Sequence, residues 1–299
     1  MGSEMCIRDS TRSFWQNIKN FQPQIIHIIL RPTISTYAMA KVLKLYCNKA
    51  KIIMSALQPP IHYRFIKKFN PLFNPDLILT SCDETERMFT SMNCKVTFLA
   101  GGVNTTKFAP VTADIKERLR EKYHIDKEKF VVLHVGSIRK NRNLQVFNRI
   151  QKQENVQVLI VGNTTFRPDR KEYSSLKEHG CIIWRTYFKN LEEIYRLSDC
   201  YVFPSVDKSS CIELPLSVME AMSCNLPIIS TRFGALPRVF DEGDGFIFAD
   251  KEEDIINELK KIKNGNIKTK TREKVLPYSW GNVAKRLEEI YEGVLKGSI

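Results

Sequence analysis

Short apolar runs alternate with segments of helical period along this chain. The runs lie at 25–30 (IIHIIL), 51–55 (KIIMS), 77–81 (LILTS), 96–100 (VTFLA), 130–135 (FVVLHV), 156–161 (VQVLIV), 181–184 (CIIW), 200–203 (CYVF), 227–230 (PIIS) and 246–248 (FIF). They are rich in β-branched residues and lack polar alternation, the pattern of strands buried on both faces of a parallel sheet. Between them, 114–123 opens on an Asp, and 190–197 (NLEEIYRL) has an Asn cap and an acidic first turn. A helix over 215–224 starts on Pro215. Residues 251–263 place Ile255, Ile256, Leu259 and Ile262 at helical spacing, and 280–295 carries Val283, Leu287, Ile290, Tyr291 and Val294 on one stripe. Strand–helix alternation of this kind predicts an α/β fold with doubly wound sheets. No repeat of 20–50 residues interrupts it.

A proline, a helix cap and a change of pattern at 105–115 predict a boundary. The expected organisation is one Rossmann-like domain over 11–110, a second over 111–280 and a closing helix over 281–299. Residues 263–274 (KNGNIKTKTREK) read as a basic surface loop or short helix. The opening MGSEMCIRDS does not join the pattern and reads as a foreign lead-in, set apart from the fold.

Composition narrows the class. At 299 residues with 43% hydrophobic and 26% charged positions, the chain is neither disordered, collagen-like nor a coiled-coil rod. Of a net charge of +13, +8 falls in 1–110 and +5 in 111–299. A basic surface suits phosphates, acidic lipids or nucleic acid. The cysteines at 6, 47, 82, 94, 181, 200, 211 and 224 show no CxxC spacing, and several sit in apolar runs. They predict a reducing, cytoplasmic setting with no disulfide frame and no metal site. No run of 18 uncharged apolar residues and no signal-peptide core is present.

Two stretches carry candidate chemistry. In HVGSIRKNRNL (134–144) a buried strand ends at Gly136, and Arg139, Lys140 and Arg142 follow before the next helix. Cations after the carboxyl end of a parallel strand suit a phosphate or diphosphate, or else form a solvated basic turn. In 204–240 (PSVDKSSCIELPLSVMEAMSCNLPIISTRFGALPRVF) a strand ends at Pro204-Ser205, a polar loop follows, and Glu220 lies among apolar neighbours on the next helix. A carboxylate there accepts from the hydroxyls of a sugar, or is a helix-surface Glu. Gly234 marks a strand-to-loop turn that permits close approach of a ligand.

In order and spacing, PS, PLSVMEAM, LPIIST and G..P resemble the donor-binding half of GT-B glycosyltransferases of the retaining family four. VGSIRKNR resembles that family's strand–Gly–Arg–Lys loop, GGVNTTKFAP (101–110) the segment closing its first domain, and YSWGNVAKRLEEIYEGVL its last helix. The resemblance covers roughly 95–295. It implies two Rossmann-like domains facing a cleft, and a UDP- or GDP-sugar donor with no tightly bound cofactor. It also implies transfer with retention to a saccharide or lipid-linked acceptor, no required metal and no nucleic-acid partner. Arg142, with Arg139 or Lys140, then stabilises the leaving diphosphate. Glu220 accepts from the donor ribose, and Glu213 with the backbone at Pro215 and Leu216 holds the sugar. Gly136 and Ser137 border the phosphates, while Gly162 and the backbone at Tyr187 and Phe188 line the base.

The departures are specific. The family's earlier Glu falls on Ile212, and Glu213 stands one place late. Ser137 occupies the position of its Arg, Arg142 that of its Lys, Asn225 that of a Gly and Arg238 that of a Glu. Arg for Lys gives a planar fork in place of a point charge. In the first domain His27 is kept, while Ile29 and Leu57 replace histidines. No counterpart of the family's opening strand and Gly-rich loop is present, which reads as a first domain incomplete at its start.

Other residues read either way. His27 and His134 sit in apolar strands as core histidines or as functional ones, and Trp184 and Tyr187 flank a base or pack a core. Residues 63–69 (YRFIKKF) with Lys41, Lys44, Lys49 and Lys51 form a solvated face or rest on an anionic membrane from the cytoplasmic side. The rival functions are a GT-B-fold sugar-nucleotide epimerase and a non-catalytic sugar-nucleotide-binding protein.

Overall fold

A computed structural model describes residues 12–61, 66–67, 74–165 and 167–299. The lead-in at 1–10 and most of 63–69 therefore lie outside the described residues. The chain forms two compact units, one of residues 1–99 with 285–299 and the other of residues 100–284.

In the first unit α1 (Arg12–Phe21) leads to β1 (Ile25–Ile28), α2 (Ile34–Tyr46), β2 (Lys51–Ser55), β3 (Leu77–Thr80), α3 (Asp83–Thr90) and β4 (Val96–Phe98). The strands pair in parallel in the order β1-β2-β3-β4. Strand side chains alternate between faces, which explains the unbroken apolar runs. Ile52, Met54 and Ile78 point to a layer with Tyr37, Leu43 and Phe89. Ile53, Leu77 and Leu79 point the other way, against Ile290 and Val294. Those two belong to the last helix, α12 (Trp280–Lys296), whose residues from 285 onward join this unit.

The second unit runs α4 (Ala113–Lys122), β5 (Phe130–Val135), α5 (Val146–Gln151), β6 (Val156–Val161), α6 (Arg170–Glu178), β7 (Ile182–Trp184), α7 (Leu191–Leu197), β8 (Cys200–Phe203) and α8 (Leu216–Ser223). Then follow β9 (Ile228–Ser230), α9 (Leu236–Val239), β10 (Phe246–Phe248), α10 (Glu252–Lys263) and α11 (Thr271–Val275). Its sheet is parallel throughout, in the order β10-β9-β8-β5-β6-β7. The chain moves outward from β5 through β6 to β7, returns to place β8 beside β5, and proceeds through β9 to β10. The order reverses between β5 and β8, and crevices at such a reversal, outside the carboxyl ends of the strands, are where α/β sheets bind ligands. Both chemistry-bearing stretches of the sequence follow these two strands.

The units divide eleven residues before the expected boundary, and the reason is local. Arg272 donates from Nη1 to the Phe108 carbonyl (3.0 Å) and from Nη2 to that of Thr105 (3.1 Å). Arg196 Nε donates to the Ala109 carbonyl at 2.9 Å, and Phe108 meets Tyr195 edge-on at 5.5 Å. These bonds fasten 100–110 to the second unit. Residues 271–275 of the basic stretch form α11, whose Thr271 and Val275 are buried.

Candidate functional site

The site grows from the carboxyl ends of β5 and β8. After β5, the Gly136 amide donates to the Val161 carbonyl at 3.0 Å, carrying the sheet pairing one step past the strand. A short 3-10 turn at Lys140–Arg142 follows and ends on Asn143 in the left-handed conformation (φ 55°). Asn tolerates that conformation, and its side chain donates to the Pro204 carbonyl at 3.2 Å. Ser205 Oγ donates to the Arg142 carbonyl at 3.4 Å, and Thr231 Oγ1 donates to the Ser205 carbonyl. The loop after β5 is thus tied to the first residues after β8, and those to the end of β9.

The three loop cations divide by burial. Arg139 and Lys140 are exposed, while Arg142 is 8% exposed. Arg142 Nε finds no acceptor among the described residues. A buried guanidinium with donors to spare is chemically incomplete without an anion or another acceptor. Ser137, directly after Gly136, is also buried. A methyl placed on Gly136 would lie 3.1 Å from His134 Nε2 and 3.3 Å from Arg142 Nη1, so glycine is what lets both groups close on the backbone there.

After β8, Glu213 and Pro215 are buried and Leu216, the first residue of α8, is exposed. The Pro215 carbonyl accepts from Val218 and Met219, so the amides of Leu216 and Ser217 lie outside the helix's own bonding. The Glu213 carbonyl accepts from the Ala235 amide at 2.8 Å, and Gly234 passes so close that a methyl on it would sit 2.2 Å from that oxygen. Glycine is needed at 234 on two counts, since its φ is +53°. Asn225, where the resemblance leads one to expect glycine, has φ 59° directly after α8. There its side chain donates to the Thr269 carbonyl and accepts from the Arg272 amide, so asparagine serves the same turn.

Glu220 is half-buried on α8 and receives the Tyr195 hydroxyl at 2.6 Å on Oε2. Burial pushes its carboxyl up to about 6, opposed by that hydrogen bond and by the Lys107 charge. The Tyr195 hydroxyl is itself held un-ionised, first by burial and then by Glu220. The sequence pattern gives Tyr195 no functional mark. Its bond spans 25 residues of chain, which periodicity does not register.

The remaining predicted residues separate. Gly162 follows β6, donates to the Trp184 carbonyl at 2.8 Å and abuts Ile138 of the β5 loop and Arg185. Tyr187 is 83% exposed, whereas the Phe188 ring packs on Trp184 (5.5 Å) and Tyr123 (6.2 Å). Trp184 and Phe188 are therefore used in packing, and Tyr187 stands apart in solvent. Ile212 is half-buried, Arg238 half-buried, and Ile29 and Leu57 exposed. His27 joins the sheet to the last helix of its unit: Nδ1 pairs with the Tyr291 hydroxyl at 2.6 Å and Nε2 with Ser55 Oγ at 2.7 Å. Among the described residues, no three His, Cys, Asp or Glu side chains gather as a metal site, and no helix is long and apolar enough to cross a membrane.

Comparison with known proteins places the fold and the family. The chain is 26% identical over 196 residues to the alpha-galactosylglucosyldiacylglycerol synthase of Streptococcus pneumoniae, covering 62% of this chain and 48% of that protein. This chain thus spans about half the length of that relative. Its fold matches a glycosyltransferase from Rickettsia africae with a TM-score of 0.76 and 16% identity, over 95% of this chain and 80% of the other. It also matches Anabaena HepE, solved in complex with UDP, with a TM-score of 0.77 and 11% identity over 94% and 81% of the two chains. These neighbours identify the fold as GT-B. The profile of the family described as glycosyl transferases group 1 matches residues 115–279, more than half of the chain and nearly all of its second unit. The protein is a member of the glycosyl transferases group 1 family.

Proposed function

We propose that this chain transfers a sugar from a nucleoside-diphosphate sugar to an acceptor hydroxyl with retention of anomeric configuration. The observation that supports this most is Arg142: a buried guanidinium with an unanswered Nε, placed where the strand order reverses. In the reaction, the bond from the sugar's C1 to the diphosphate oxygen breaks and the diphosphate leaves with the electron pair. The acceptor oxygen bonds to C1 and its proton is released. Negative charge grows on the leaving diphosphate, and a cation fixed in a desolvated position stabilises it without having to reorganise. Arg142 supplies that charge, Arg139 and Lys140 add to it from the surface, and the free amides of Leu216 and Ser217 extend the anion site.

Glu220 takes the donor's ribose. Tyr195 occupies Oε2, and the remaining lone pairs accept from two hydroxyls. Glu213, with the backbone at Pro215 and Leu216, holds the sugar, and the backbone at Gly162, Tyr187 and Phe188 borders the base. UDP is the first donor nucleotide to test, because HepE, of the same fold, was solved with it.

On the acceptor side we infer an apolar tail. A groove of about 750 Å³ in the first unit runs along β1 between Phe14, Phe21, Ile29, Leu30 and Met39. Phe21 (82% exposed) and Leu45 (70%) stand in solvent on the same unit, and residues 1–110 carry +8 of the chain's net +13. A glycerolipid seated at an anionic membrane surface suits both features, and the pneumococcal relative is named for such a product. The test is calorimetric titration with UDP- and GDP-sugars, followed by transfer assays on diacylglycerol and on free sugars. Nucleotide-sugar binding with product on the lipid alone supports the reading. Failure to bind either nucleotide sugar overturns it.

A further inference from the structure

His134 is fully buried in β5, between Phe147, Tyr201 and Phe203, whose ring centroids lie 5.3–6.4 Å away. Its Nδ1 is 3.0 Å from the Val202 carbonyl. A carbonyl oxygen only accepts, so Nδ1 carries the proton. Burial lowers the ring's proton affinity to about 3, with the nearby Arg142 charge acting in the same direction. At neutral pH the ring is uncharged, and Nε2 presents a bare lone pair.

That lone pair is buried and finds no donor among the described residues. A buried acceptor of this kind is costly unless something answers it. What faces it is known: Nε2 and Arg142 Nη1 press on the same side of Gly136, 3.1 and 3.3 Å from the point where a Cβ would stand. An unanswered acceptor and one arm of a guanidinium whose Nε is itself unanswered thus border the same point, and the missing side chain of Gly136 leaves that space open.

We propose that His134 is a positioning residue for Arg142: a small turn of the guanidinium across Gly136 brings an N–H onto the bare Nε2, and that hydrogen bond fixes the fork that meets the donor's diphosphate. One N–H of five is spent on the histidine, and the rest remain for phosphate oxygens. Neutrality of the ring is essential, because an imidazolium would offer a donor and a second positive charge to a guanidinium. The consequence for the diphosphate rests on the function proposed above, whereas the pairing of His134 with Arg142 is tested apart from it.

The experiment is a double-mutant cycle read by calorimetric titration with UDP, GDP and uridine. H134F keeps the stacked ring and removes the acceptor. H134Q places an amide oxygen near Nε2. R142A and H134F/R142A complete the cycle. H134F should lose about tenfold in diphosphate affinity, the scale of one hydrogen bond to a charged group. Uridine binding should be unchanged, H134Q should recover most of the loss, and H134F should cost nothing further once Arg142 is gone. Losses that multiply in the double variant, or a fully active H134F, overturn the proposal. Nitrogen NMR of the ligand-free protein decides the contact even if H134F does not fold or if neither nucleotide binds. The His134 Nε2 resonance should move in R142K and report a hydrogen-bonded, unprotonated nitrogen in the wild type. A resonance indifferent to Arg142 overturns it, and wild-type protein that binds neither nucleotide overturns the functional reading instead.

Discussion

Glu220 titrates close to the working range of a protein, and its two states do different things. Its carboxyl lies at about 6 in the folded chain because burial penalises the charge. A carboxylate accepts from two ribose hydroxyls, while the protonated acid turns one oxygen into a donor. Donor affinity should therefore fall as pH drops from 8 to 5, and E220Q should bind weakly with a flat pH profile; a wild-type profile without a step near 6 removes Glu220 from the ribose. The stability consequence has the opposite sense. A carboxyl raised above its ordinary 4.5 favours the folded state below that value and loses this contribution as pH rises through 6. The difference amounts to about 2 kcal/mol at 1.36 kcal/mol per unit. E220Q should accordingly melt no lower than wild type at pH 8, so its loss of binding is not a loss of fold. R142A should weaken nucleoside diphosphate strongly and bare nucleoside little; equal losses for both would make Arg142 a loop-shaping residue. At this scale the sequence was legible where chemistry shows as residue type in a loop, as with Gly136, Arg142 and Gly234. It was not legible for His134 and Tyr195, whose meaning lies in one partner atom reached across the sheet.

Elements follow from pattern where burial is thorough. The strands of the second unit appear within a residue of the apolar runs that predict them, because both faces of that sheet are covered. In the first unit the run at 25–30 ends as a strand at Ile28, with Ile29 and Leu30 exposed beyond it. Several helices left little trace. α6 buries only Glu172 and Leu176 and is set by the Asp169 side chain capping the amides of Lys171 and Glu172, while α3 buries only Thr85 and Phe89. With two inward positions per helix there is no stripe for periodicity to find. α12 is the contrary case, and its stripe carries a prediction. Ile290 is fully buried against Ile53, Leu77 and Leu79. I290A should destabilise the first unit by roughly 2–5 kcal/mol, read as a shift in its denaturant midpoint; an unchanged midpoint would mean that α12 is not part of that core. The turn at Gly234 carries another. G234A meets both a positive φ and the Glu213 carbonyl, and should cost more than about 1 kcal/mol, with nucleotide binding lost alongside. A variant that melts and binds as wild type would contradict the tight turn described here.

For the whole molecule, the telling feature is the order of strands. A parallel sheet that winds outward from β5, returns to β8 and winds the other way opens a crevice beside both strands. The chain places its buried guanidinium after one strand and its buried carboxylate and helix start after the other. Strand–helix alternation announces an α/β fold, but strand order is a three-dimensional fact that no local pattern contains; it became available to sequence reasoning only through the resemblance carried by PLSVMEAM and its neighbours. The central claim is that this crevice binds a nucleoside-diphosphate sugar by its diphosphate and ribose. The most direct measurement is the thermal shift of the whole chain with UDP-, GDP- and ADP-sugars, repeated on R142A and E220Q. A ligand that binds only the folded state at a hundred times its dissociation constant adds about 2.7 kcal/mol. The account predicts a clear rise in melting temperature with at least one of these donors for the wild type, and little or none for either variant. No rise with any of them, or the same rise in all three proteins, would contradict it.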